Sequence, residues 1–147
     1  MREALSIRRA AFPTGHREIG LGLTNLALIL ADRRKPAEAE PYGREALEIL
    51  RAARPAGDSR IADGLICLAE ILEEKGKHAE SEPLYREALE MNRAGVLSGR
   101  TRDSVLNRVA ALCWRQGKLD QSIPLFEEAL ALMEERLGRK HPDTLVT

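Results

Sequence analysis

Aromatic side chains are scarce in this chain. One Trp, two Tyr and two Phe make up 3% of its 147 residues. A β-sandwich or barrel of this length draws heavily on aromatic and β-branched residues, so the scarcity points to helices packed through Ala and Leu. Cysteine is equally sparse. Cys67 and Cys113 stand far apart and match no metal-ligand spacing or disulfide framework, which suits a reducing, cytoplasmic compartment. Neither charge sign dominates: 23 basic and 23 acidic side chains give a net charge of zero. That removes the long-range attraction expected of a nucleic-acid or anionic-membrane binder. No apolar run approaches the ~20 residues that span a bilayer. The start, Met1-Arg2-Glu3-Ala4, lacks the apolar stretch of a secretory signal. Catalytic signatures are missing as well. There is no Gly-rich phosphate loop, no His-Glu-x-x-His and no Gly-x-Ser-x-Gly. Carboxylates fall at surface i, i+4 spacings, as in Glu70 and Glu74, without a His at ligand spacing. The expectation is a protein that is not an enzyme and uses no cofactor and no metal.

What is present is repetition. Glu-Ala-Leu recurs at Ala4, Ala46, Ala88 and Ala129, at intervals of 42, 42 and 41 residues. A second series, Leu23-x-x-Leu26-Ala27, Leu65-x-x-Leu68-Ala69 and Leu106-x-x-Val109-Ala110, keeps the same period. So does a third: Pro41-Tyr42-Gly43, Pro83-Leu84-Tyr85 and Pro124-Leu125-Phe126.

Each unit reads as two helices. Leu65, Leu68, Ala69 and Leu72 lie at i, i+3, i+4 and i+7, one face of a first helix. Gly76-Lys77 and Gly117-Lys118 break the pattern, and Arg34-Lys35-Pro36 fills that place in the first unit. A second helix then starts near residues 37, 79 and 119. Pro41, Pro83 and Pro124 fall about one turn in, where a missing N–H costs little. The second helices are expected to end near Ala56-Gly57 and Gly95. Recurrent Ala at mid-helix permits close crossing. Ala27, Ala69 and Ala110 are expected to meet Ala46, Ala88 and Ala129. A single pair cannot bury its apolar faces, so pairs must stack.

These positions resemble the tetratricopeptide repeat (TPR). Ala27, Ala69 and Ala110 match its first small residue; Ala39, Ser81 and Ser122 match its second. Gly43, Tyr85 and Phe126 fall at its aromatic position, and Ala46, Ala88 and Ala129 at its third small residue. The period near 42, with Leu23-Thr24-Asn25-Leu26-Ala27 and Leu137-Gly138-x-x-His141-Pro142-Asp143, is similar to the kinesin light chain subgroup. The resemblance implies an all-α fold, an α-α superhelix forming a right-handed solenoid of antiparallel helix pairs. It implies one array over 1–147. The second helix of a partial repeat covers 1–12, repeats follow at about 16–56, 58–95 and 99–138, and a further first helix starts at 141–147. Gly43 departs from the aromatic, so the first pair packs more loosely or Tyr42 substitutes. Asp58 and Ser59 remain able to cap a helix. No polar capping helix closes the array, so the protein continues or its ends pair with another copy.

The resemblance also implies a function: a protein–protein interaction scaffold that holds a peptide or helix in a concave groove lined by the first helices. Carried over to this chain, the groove presents Asn25 and Leu28, then Glu70 and Glu74, then Asn107, Arg108, Trp114 and Arg115. Thr24 and Cys67 fall in the same rows. Asn25 and Asn107 would hold a peptide backbone, Arg108 and Arg115 acidic groups, and Trp114 an apolar anchor. The alternative is that Glu70 or Glu74 simply pairs with Arg108 or Arg115, worth ~0–1 kcal/mol. The implied partner is a protein or peptide, with homo-oligomerisation through uncapped ends as a further option, and neither nucleic acid nor membrane. Two other roles fit the pattern: a self-associating structural array, or a regulatory segment of a larger signalling protein. His16 and His141 share one repeat position and read as turn or cap residues, and His78 as solvated.

Overall fold

A computed structural model describes residues 17–53, 58–93 and 99–140. Six helices fill them: α1 (Arg17–Asp32), α2 (Pro36–Ala53), α3 (Ser59–Glu74), α4 (His78–Arg93), α5 (Gly99–Arg115) and α6 (Leu119–Lys140). The chain divides into two compact units, Met1–Val96 and Leu97–Thr147. The first holds α1 to α4 and the second α5 and α6. The second helices begin at Pro36, His78 and Leu119, within one residue of expectation. The expected helix over 1–12, the ends near Ala56-Gly57 and Gly95, and the start at 141–147 lie outside the described residues, as do His16 and His141.

Three turns of one design join the pairs. At the end of α3, Lys77 N–H donates to the Leu72 carbonyl (2.8 Å) and Gly76 N–H to that of Glu73 (2.9 Å). The ends of α1 and α5 repeat this, with Lys35 to Leu30 and Arg34 to Ala31, then Lys118 to Cys113 and Gly117 to Trp114. This is the Schellman arrangement, which satisfies otherwise orphaned helix carbonyls. The same lysines then start the next helix. The Lys35 carbonyl accepts from Glu38 and Ala39, Lys77 from Glu80 and Ser81, and Lys118 from Gln121 and Ser122. One residue thus ends one helix and begins the next, which forces an antiparallel return. Gly76 and Gly117 have φ of 75° and Arg34 has 59°. Arg34 occupies a left-handed conformation that side chains other than Gly resist.

Pro41, Pro83 and Pro124 sit inside their helices. Each removes the bond to the residue four earlier: Ala37, Ala79 or Asp120. All three are exposed, so water replaces the lost donor. Asp58 caps α3, its carboxylate accepting from Arg60 N–H at 2.9 Å.

The six alanines expected to meet are all buried: Ala27, Ala46, Ala69, Ala88, Ala110 and Ala129. In the first unit, Ile19, Leu23, Leu26, Ala27, Ala39 and Ala46 share a core with Cys67 and Ile71. A neighbouring core joins Leu47 and Leu50 to Ile61, Leu65, Leu68 and Leu72. Stacking of α3 on α2 makes both cores continuous. Ser122 donates its hydroxyl to the Ala110 carbonyl (2.9 Å) and Ser81 to that of His78 (3.1 Å), so neither small polar residue is left unsatisfied.

The aromatic position differs among the repeats. Tyr85 is fully buried, with its hydroxyl donating to Glu73 at 3.1 Å. Gly43 leaves no gap. A Cβ there would lie 3.3 Å from Leu68 Cδ1 and 3.4 Å from Ile71 Cδ1, so α3 moves into the space a ring would take. Tyr42 packs half-buried beside the first core.

Two predictions follow from turn and packing. Gly76→Ala and Gly117→Ala each cost about 1 kcal/mol in urea unfolding, although no atom crowds either site, because φ alone opposes them. Arg34→Ala stays within about 0.5 kcal/mol of the parent, since that strain already exists. Restoring the family's aromatic with Gly43→Tyr lowers stability by about 1–3 kcal/mol or more through overpacking against Leu68 and Ile71. A rise in the unfolding midpoint contradicts this account of the slot.

Candidate functional site

The first unit places Asn25 exposed on α1, with Leu28 beside it at the margin of burial. On α3, Glu70 is half-buried and Glu74 exposed. Two residues from the same rows are not available to a ligand. Thr24 is buried, its hydroxyl turned back onto the Gly20 carbonyl at 3.0 Å. Cys67 is buried against the Thr24 carbonyl, sulfur to oxygen 3.9 Å. Helices α1 and α3 touch along this seam, so the groove side narrows to the residues flanking it. Burial and the nearby Glu70 carboxylate push the Cys67 thiol up to about 12, leaving it protonated and inert.

The second unit brings Asn107, Arg108, Ala111, Trp114 and Arg115 to one side of α5, following helical spacing. Trp114 is 63% exposed, the most exposed large apolar side chain among the described residues. Arg108 and Arg115 are exposed beside it. Asn107 is half-buried, with its amide nitrogen 4.0 Å from the Met133 sulfur of α6. Below this face, Arg136 holds the buried Asp103 at 3.1 Å, and Arg102 pairs with Glu128. These contacts fix α5 on α6. Glu70 and Glu74 belong to one unit and Arg108 and Arg115 to the other.

A second feature is not visible in local sequence. Glu40, on α2, is nearly buried and gathers three cations: Arg44 of its own helix at 2.8 Å, Lys77 of the α3–α4 turn at 3.1 Å, and Lys75 of the same turn. The Lys75 hydrogen bond, followed by those of Arg44 and Lys77, outweighs burial and holds the Glu40 carboxyl down at about 2. Arg44 continues to Glu80 of α4 at 2.6 Å, and Arg51 reaches Glu87 at 2.6 Å. Glu80 is held low, chiefly by Arg44. Beneath these bridges lies an open cleft of about 480 Å³ with Leu47, Leu68, Leu72, Pro83 and Leu84 along it. Both ion pairs join residues 36 apart, so no helical periodicity announces them.

Glu40→Gln tests the network. The depressed carboxyl contributes stability that is complete above its ordinary value of 4.5 and is lost as pH falls toward about 2. The parent should exceed the variant by about 2 kcal/mol at pH 7 in urea unfolding. The gap should close between pH 4.5 and 2. A gap independent of pH refutes the assignment.

Among the described residues no group of three His, Cys, Asp or Glu side chains is placed to hold a metal ion. No helix among them is long and apolar enough to cross a membrane. One profile of the tetratricopeptide repeat matches residues 22–54 and 61–96, and a second matches 101–147. No curated protein matches the chain. Among solved structures, BtubC (BKLC) from P. vanneervenii superposes with a TM-score of 0.84 at 18% identity, over 93% of this chain and 55% of that one. The TPR domain of Arabidopsis FLU superposes with a TM-score of 0.70 at 16% identity, over 82% of this chain and 99% of that domain. The chain therefore spans little more than half the length of BtubC, and at these identities the likeness shows the fold alone.

Proposed function

Because the chain belongs to the tetratricopeptide repeat family, whose members generally serve as protein-interaction modules, we propose that it holds a peptide or helix of a partner protein on the exposed faces of its first helices. The observation that carries this reading is Trp114. The chain's only Trp is 63% exposed on α5 with two arginines on the same side, and Trp and Arg are among the residue types most enriched at binding hot spots. On the α5 face, Arg108 and Arg115 supply donors for carboxylates of the ligand, and Trp114 supplies a flat apolar surface. On the α1 and α3 faces, Asn25 offers both a donor and an acceptor to a peptide backbone, Leu28 an apolar contact, and Glu70 and Glu74 an acidic margin.

Mechanistically this is recognition by a preformed surface. Helix pairs locked by three identical turns pay little ordering entropy on binding, so the ligand's contacts appear directly as affinity. Chemistry on a substrate has no place in this reading, which treats the chain as a scaffold.

The double substitution Trp114→Ala with Arg115→Ala should weaken partner binding by about 30-fold or more while the far-UV circular dichroism stays that of the parent. The check is a titration with peptides selected from a library against the parent chain. Unchanged affinity refutes the assignment of this face.

A further inference from the structure

We draw no further inference here: the strongest candidate, the open cleft of about 480 Å³ between α2 and α4, has a leucine floor and a rim of arginines already paired with Glu80 and Glu87, and nothing in the structure shows what covers it.

Discussion

Two helices joined by a three-residue turn can cross closely only where neither backbone carries a bulky side chain. The rest of this structure depends on that constraint. Ala27, Ala69 and Ala110 and their partners Ala46, Ala88 and Ala129 are all buried. Leu and Ile pack around these contacts, as Leu23, Leu65 and Leu106 show. A buried Ala lets backbones approach without the rotamer entropy a larger side chain would lose. The cost is that one pair buries too little apolar surface on its own, so α3 must lie on α2. Stacking then reaches further than the core. It brings Lys75 and Lys77 to Glu40, and Arg44 and Arg51 to Glu80 and Glu87.

The period, the pairing of helices and the position of each turn were legible in the sequence because they rest on local rules. Three series of small or apolar residues at 42, 42 and 41 residues set the register, and Gly-Lys marked the returns. Asp58 read correctly as a cap. The first return was harder. Arg34 takes the positive φ that Gly76 and Gly117 take, and nothing in its residue type signals this. Only its place in the register does.

Side-chain roles on the candidate face were less legible. Thr24 and Cys67 share a helical face with Asn25 and Glu70, but contact between α1 and α3 buries them, and contact between neighbouring repeats is a tertiary fact. Gly43 looked like a missing ring. The space is instead taken by Leu68 and Ile71 from the other helix. The Glu40 network joins residues 35 to 37 apart, beyond any helical period. Trp114 is exposed on the first helix of the second unit.

The account rests on a division of labour. Stacked helix pairs supply the frame, and in the proposed function the exposed side of the first helices supplies recognition. Site-specific photocrosslinking tests that division most directly. A photoreactive side chain is placed in turn at Asn25, at Trp114 and at Glu48, beside the cleft between α2 and α4. Each protein is then exposed to a peptide that binds the parent chain. The account predicts crosslinks from Asn25 or Trp114 and none from Glu48. Crosslinks from Glu48 alone would contradict it.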